Sequence, residues 1–104
     1  MIDRGDLSKD IGLENVPIAQ REIFKKKKKF KKVNVFVATN FLESMVENAQ
    51  PSRAEINDIY NSIEIGCNGL VLASETAIGK YPESCIKFIK KIIKVFKKQK
   101  SYKF

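Results

Sequence analysis

Residues 33–38 read VNVFVA, and residues 69–73 read GLVLA. Short aliphatic runs of this kind, rich in β-branched residues, are typical of strands that are buried on both faces. The segment between them opens with the capping box SRAE at residues 52–55. An apolar helical face follows at the i, i+3, i+4, i+7 spacing, made of Ile56, Ile59, Tyr60 and Ile63. Gly66 is placed to end this helix, so the pattern predicts a βαβ unit with parallel strands.

The same alternation extends toward the amino terminus. Residues 1–2 are expected to end a first strand, and residues 3–12 are expected to be a polar loop. A helix is predicted over residues 15–30, with Asn15 as its N-cap. Its apolar positions are Val16, Ile18, Ala19, Ile23, Phe24 and Phe30.

The alternation also extends toward the carboxyl terminus. One helical turn is expected at residues 41–46, and residues 74–81 are expected to be a loop. A last helix is predicted over residues 82–98, with the apolar face Cys85, Ile86, Ile89, Ile92, Ile93 and Phe96. The prediction is therefore an α/β fold of three βα units, whose functional residues lie in the loops after the strands.

Composition limits the possible functions. The chain has 104 residues, a net charge of +8 and no histidine, so it is expected to be one small domain without the usual neutral-pH base. Its two cysteines are too few for a disulfide scaffold or a four-ligand zinc site, and they are expected to be small core residues. Neither a signal peptide nor a membrane span is visible, which indicates a soluble chain in a reducing compartment.

The positive charge lies in two clusters. Residues 25–32 hold seven lysines around Phe30, and residues 87–104 hold eight lysines and no acid. Such clusters are typical either of a binding surface for nucleic acid or anionic membrane, or of solvated helix faces. The interpretation as solvated helix faces is favoured. The clusters lack arginine and interleaved exposed aromatics, and they lie where helices are expected to end.

Four short motifs occupy the loops after the predicted strands. Residues 3–8 read DRGDLS, residues 38–45 read ATNFLESM, residues 50–55 read QPSRAE and residues 74–82 read SETAIGKYP. In this order and at this spacing the motifs resemble those of the pyruvate kinase family, in which they read ARGDLG, VATQMLESM, RPTRAE and SGETAxGxYP. The family resemblance covers nearly the whole chain.

The resemblance implies a place in a larger fold. The catalytic domain of pyruvate kinases is a TIM (β/α)8 barrel, and the motifs correspond to its sixth, seventh and eighth βα units. Residues 1–32, 33–66 and 67–98 would be these units of an incomplete barrel, followed by a basic tail at 99–104. Met1 falls inside a strand of the family, so the reading frame is expected to begin within a longer gene.

The resemblance also implies chemistry. Pyruvate kinases transfer a phosphoryl group from phosphoenolpyruvate to ADP in glycolysis, giving pyruvate and ATP, and use Mg²⁺ and usually K⁺. Asp6 would be one of two carboxylates on Mg²⁺, and the N–H groups of Gly5 and Asp6 would bind the substrate carboxylate. Thr39 would contact the same carboxylate and take part in catalysis. The other Mg²⁺ carboxylate and the K⁺ ligands would fall outside this sequence, and the location would be cytoplasmic.

Several positions depart from the family pattern. Asp3 stands where the family has a small residue, which adds a carboxylate near the metal position. Ser8, Asn40 and Phe41 also differ from the family residues, and Ala-Ser at 73–74 replaces Ser-Gly. The phosphate-facing lysine and arginine of the earlier units have no counterpart here, so the chain is expected to be a fragment that is inactive alone.

The fold itself is expected to be incomplete. Three strands cannot close a barrel, which needs about eight. The outer strands would each expose a hydrogen-bonding edge, and the inward faces of the strands would lose their opposite wall. The chain is therefore expected to be marginally stable or to self-associate. The alternative function is a basic module that binds nucleic acid or an anionic membrane surface, and it ranks below the first because it leaves the loop motifs unexplained.

Overall fold

The sheet is built from short parallel strands. The computed structural model describes residues 1–30, 32–38 and 41–99. Three strands pair in chain order: β1 (Ile2–Asp3), β2 (Phe36–Ala38) and β3 (Gly69–Val71). In the register, Val37 of β2 lies between Ile2 of β1 and Leu70 of β3. The sheet is open, and because all strands run the same way, their carboxyl ends share one edge.

Helices follow each strand. They are α1 (Arg4–Ile11), α2 (Val16–Lys27), α3 (Arg53–Ile65), α4 (Ser74–Ala77) and α5 (Pro82–Lys98), with 3₁₀ turns at Leu13–Asn15 and Glu43–Val46. The α/β class with parallel strands is confirmed, and so is the helical turn after β2. Within the described part of the chain, no helix is both long enough and apolar enough to cross a bilayer.

The expected loop at residues 3–12 is wrong, because α1 occupies most of it. Asp3 is the N-cap of this helix, and its side chain accepts hydrogen bonds from the backbone N–H groups of Gly5 and Asp6. These bonds satisfy donors that a helix start otherwise leaves unpaired. A polar, glycine-containing stretch therefore becomes helical because its first residue caps it.

The boundaries predicted for the next helix were too wide. Helix α2 ends at Lys27, so Phe30 lies beyond it and its side chain is 64% exposed. Asn15 stands at the N-cap position, but its side chain makes no capping bond and its Nδ2 donates to the carbonyl of Ile11 instead. Ile18, which was expected to be an apolar contact position, is also largely exposed.

The strands are shorter and less buried than the sequence predicts. Phe36 and Val71 are 42% and 37% exposed, so β2 and β3 are not covered on both faces. Val37 between its two neighbouring strands is fully buried and Ala38 is also buried, whereas Phe36 and Val71, on the same face as Ala38, remain partly exposed. Burial therefore differs between positions of one face, because it depends on which segments pack over each position.

The core lies between the sheet and the two long helices α3 and α5. Ile59 from α3 and Cys85 and Ile92 from α5 are buried there. The segment after β2 supplies the largest fully buried side chains, which are Phe41, Leu42 and Met45. The capping box at residues 52–55 and the left-handed Gly66 (φ 111°) set the bounds of α3, as predicted. The last helix also has its predicted bounds, although Ile86 on its expected apolar face is exposed.

We expect the chain to self-associate through the outer strand edges and the partly exposed face of its sheet. Multi-angle light scattering should show an average mass that rises with protein concentration, because exposed strand edges and apolar side chains are templates for pairing. Phe36→Ser should lower this association by removing the large exposed ring from β2. Ile78→Ser removes an exposed apolar side chain outside the strands and is the control. A monomer at all concentrations contradicts the expectation.

Candidate functional site

The loops that follow the three strands meet at one edge of the sheet, which we call the strand-end rim. It comprises the described residues 3–11, 41–51 and 72–81. The registers Asp3 with Ala38 and Ala38 with Val71 bring the ends of the strands side by side. Parallel sheets gather functional side chains at this edge, and the four motifs of the sequence lie on or next to it.

The first turn of α1 presents Asp6 on the rim. The Asp6 side chain is exposed, while its backbone N–H donates to Oδ1 of Asp3 at 3.2 Å. The N–H of Gly5 donates to the same oxygen at 3.0 Å. The two backbone donors expected to bind a substrate carboxylate are therefore directed at a carboxylate of the chain itself.

Arg4 anchors this turn to the rest of the fold. Its guanidinium lies 2.6 Å from Oδ1 of Asp58 in α3, and the Arg4 side chain is 15% exposed. Its Cζ also lies 4.2 Å from the centroid of the Phe41 ring, a cation–π contact. Two residues of one motif thus differ in burial: the Arg4 side chain is packed against the fold, whereas the Asp6 side chain is exposed.

The segment after β2 is fixed by the carboxylate of Glu55. This side chain accepts from the N–H of Ser52, which closes the capping box of α3. It also accepts from the N–H and the hydroxyl of Ser44 in the 3₁₀ turn. The glutamate of the α3 capping box therefore also anchors the neighbouring 3₁₀ turn.

The pKa of Glu55 reflects these contacts. Burial alone raises the pKa of this carboxyl, but the hydrogen bonds from Ser44 and Ser52 outweigh burial and leave the pKa below the ordinary value of 4.5. The folded state therefore favours the ionised form. Stability from this group is present above the ordinary pKa and is lost as pH falls through the lowered value.

A second carboxylate, that of Glu75 in α4, joins two segments of the rim. Its side chain is 2% exposed and accepts from the N–H of Leu42 and from the N–H of Ala73, both at 3.1 Å. One buried group therefore joins the segment after β2 to the segment after β3. Gly79 closes over it, because a Cβ at this position would lie 2.3 Å from the backbone oxygen of Glu75.

Two of the three site residues predicted from the sequence lie in the described part of the chain. Gly5 and Asp6 lie on the rim, whereas Thr39 is outside the described residues. Among residues 1–30, 32–38 and 41–99, no three His, Cys, Asp or Glu side chains are grouped so that they could hold a metal ion. Cys67 and Cys85 are free thiols, and burial is the main cause that raises the pKa of each, which disfavours the reactive thiolate.

Sequence reasoning missed three features of this site. The cap formed by Asp3 was detectable, because an N-cap residue followed three positions later by an acid is a helix-start pattern. The ion pair of Arg4 and Asp58 joins residues 54 positions apart, and no local pattern indicates it. The buried Glu75 bridge also joins distant segments and left no signal in the periodicity of the sequence.

Parallel strands joined by helical connections, with the loops that follow them gathered at one edge, define an α/β domain. Comparison with protein families gives a match to the barrel domain of pyruvate kinase over residues 1–86. The chain belongs to the pyruvate kinase barrel-domain family.

Individual relatives agree with this family. The chain is 48% identical to a pyruvate kinase of Thermotoga maritima over 95% of its own length and 21% of that protein. It is 42% identical to a pyruvate kinase of Methanocaldococcus jannaschii over 91% of its length and 21% of the relative. It is also 41% identical to the chloroplastic pyruvate kinase isozyme G of Nicotiana tabacum, over 84% of its length and 15% of the relative. The chain thus spans about a fifth of the length of these first two relatives.

We expect Glu75→Gln to destabilise the fold by about 1–3 kcal/mol, because an amide has only one acceptor oxygen and leaves one buried N–H unsatisfied. Chemical denaturation followed by circular dichroism measures this loss. Glu64→Gln is the matched control on the exposed surface of α3 and should change stability by less than about 0.5 kcal/mol. Equal effects of the two variants contradict the bridging role.

We expect Glu55 to contribute to acid sensitivity. The stability difference between the wild-type chain and Glu55→Gln should be constant above the ordinary pKa of 4.5 and should shrink as pH falls below it. Denaturation midpoints measured at a series of pH values give this difference. A gap that widens toward acid would show that the folded state does not favour the ionised carboxylate.

Proposed function

We propose that this chain forms the sixth, seventh and eighth βα units of a pyruvate kinase barrel. Residues 1–32, 33–66 and 67–98 would be the three units, with 99–104 as a basic tail. As part of a complete barrel, the chain would serve the transfer of a phosphoryl group from phosphoenolpyruvate to ADP, giving pyruvate and ATP. The observation that carries the proposal is the position of Asp6, exposed in the first turn after β1 on the strand-end rim.

The chemistry of Asp6 fits one ligand of Mg²⁺. This ion prefers hard oxygen donors and is commonly held by one or two carboxylates together with substrate oxygens. Bound Mg²⁺ would neutralise the negative charge of the phosphoryl group in the reaction. The described residues contain no group of three His, Cys, Asp or Glu side chains that could hold a metal ion, and on this proposal the second carboxylate and the K⁺ ligands would come from the other barrel units.

The backbone donors of the same turn would orient the substrate. Two successive N–H groups at the start of a helix form a natural site for a carboxylate or a phosphate. In this chain the Oδ1 atom of Asp3 already accepts from the N–H groups of Gly5 and Asp6. A substrate carboxylate would have to displace Asp3, so we infer that this residue weakens substrate binding relative to a small residue.

The remaining parts of the site would depend on the segments anchored by Glu55 and Glu75. Both carboxylates fix the segment that follows β2, which begins with Thr39. Thr39 would contact the substrate carboxylate and assist proton transfer. Phosphoryl transfer depends on positioning and charge neutralisation, so fixed loops at the rim suit this reaction.

On this proposal, the isolated chain would have no phosphoryl transferase activity. Three strands leave the barrel open, and the described residues offer no assembled metal site. In a complete enzyme the proposed setting is cytoplasmic glycolysis, with phosphoenolpyruvate and adenine nucleotides as its ligands.

A hybrid enzyme tests the proposal. Residues 1–99 replace the matching segment of the Thermotoga maritima pyruvate kinase, and pyruvate formation is measured with phosphoenolpyruvate, ADP and Mg²⁺. We expect a folded, active hybrid in which Asp6→Asn lowers kcat at least about a hundredfold, since charge-stabilising groups have effects of this size. Asp10→Asn, an exposed acid on the same helix, is the matched control and should leave kcat unchanged.

Asp3→Ala in the same hybrid tests the competition for the backbone donors. The variant should lower KM for phosphoenolpyruvate, because it removes the Asp3 carboxylate that competes for the N–H groups of Gly5 and Asp6. It should also cost about 1 kcal/mol of stability through loss of the helix cap. A hybrid that melts cooperatively but is inactive contradicts the proposal, and so does one in which Asp6→Asn and Asp10→Asn behave alike.

A further inference from the structure

The two lysine clusters lie at the same end of the molecule. Helices α2 and α3 return to the edge where the strands begin, so their carboxyl ends lie opposite the strand-end rim. The Nζ of Lys27 donates to the carbonyl of Gly66 at 3.2 Å, which places the ends of these helices together. The rings of Tyr60 and Phe96, with centroids 5.7 Å apart, place the final turns of α5 beside the second half of α3.

We call this part of the molecule the lysine end. Its exposed lysines are Lys25, Lys26, Lys28, Lys29, Lys32, Lys94, Lys97 and Lys98. The second halves of α2, α3 and α5 contain only two acids, Glu22 and Glu64, and Glu22 is paired with Lys25 at 3.3 Å. Most acids of the chain lie on or near the strand-end rim instead, so the molecule is electrically polar.

Apolar side chains are exposed within the lysine end. Phe30 is 64% exposed and Val33 is 52% exposed, because α2 ends at Lys27 and leaves the following segment outside the core. The sequence was expected to place no exposed aromatic ring among the lysines, but Phe30 is one. Lysine faces that serve only for solvation do not need an exposed aromatic ring.

A recess opens at the same end between α2 and α3. It has a volume of about 450 Å³, and its lining combines the apolar Phe24 and Ile65 with three basic side chains, one acid and one amide: Arg21, Lys25, Lys28, Glu64 and Asn61. Its net positive charge beside apolar side chains suits a ligand that has an anionic head and an apolar body. The charge and the exposed side chains of this end therefore favour the same kind of partner.

We propose that the lysine end binds the surface of an anionic lipid bilayer. Clusters of four to eight lysines are attracted by acidic headgroups, with a contribution from each lysine near the surface, and Phe30 and Val33 would enter the interfacial layer. Nucleic acid is the weaker candidate. The clusters contain no arginine for base edges, and a single exposed ring does not form a stacking platform.

Vesicle flotation tests the inference with the full chain, because protein aggregates sink while vesicles rise. The chain should float with vesicles of phosphatidylcholine and phosphatidylserine in equal parts and stay behind with phosphatidylcholine alone. Added salt should reduce flotation, since screening weakens the attraction. Equal flotation with both vesicle types, or none with either, overturns the proposal.

Two pairs of variants locate the contact. Replacing Lys26, Lys28 and Lys29 with glutamine should weaken vesicle binding at least about tenfold. The same change at Lys9, Lys80 and Lys87, which lie on or near the strand-end rim, removes equal charge and should have little effect. Phe30→Ser should weaken binding without changing charge, whereas Leu13→Ser, which removes a more exposed apolar side chain, should not.

Duplex DNA separates a bilayer surface from a general polyanion site. A chain that binds duplex DNA as tightly as the acidic vesicles, with no loss of vesicle binding in Phe30→Ser, overturns the proposal. Equal effects of the two lysine triples overturn it as well. The lysine end is remote from Asp6, so this result and that of the hybrid enzyme are independent.

Discussion

The segment after β2 depends on two carboxylates that reach it from different helices. Glu75 accepts from the N–H of Leu42, and Glu55 accepts from the N–H and hydroxyl of Ser44. A buried backbone donor without a partner costs free energy, so these acceptors allow an irregular segment to pass through the core. The apolar side chains that this segment carries, Phe41 and Met45, then fill the space between the sheet and the helices.

The same anchors explain how the strand-end rim is ordered in so small a sheet. Three strands of two or three residues provide few ladder hydrogen bonds. Side-chain contacts made by helical residues with other segments supply what the sheet lacks: the pair of Arg4 and Asp58, the Glu75 bridge and the Glu55 anchor. The partly exposed face of the sheet remains the weak point, because Phe36 and Val71 are incompletely covered there.

The two ends of the molecule have opposite electrostatic character, and the topology is the cause. Parallel strands with helical returns place strand ends at one edge and helix ends at the other. Acidic motif residues such as Asp6 follow the strands, whereas the lysines end the helices, where cations interact favourably with the helix dipole. The helix-dipole effect accounts for lysines in the last turns, but it does not account for the exposed Phe30 beside them.

The pattern of the sequence predicted the α/β class of the fold and several of its secondary-structure elements. The capping box at residues 52–55, the left-handed Gly66 and the bounds of α5 follow from local chemistry, so they were predictable. The end of α2 at Lys27 and the exposure of Phe36 were not, because burial depends on which elements cover which face. In the candidate site, motifs indicated Asp6 and Gly5, and the local sequence also held the signal for the cap by Asp3, whereas the Glu75 bridge exists only in the folded chain. Local hydrogen bonds and hydrophobic periodicity depend on neighbouring residues, so the sequence alone determines them. Other contacts join residues more than 30 positions apart, such as Glu75 with Leu42 and Arg4 with Asp58, and these form only when the chain packs.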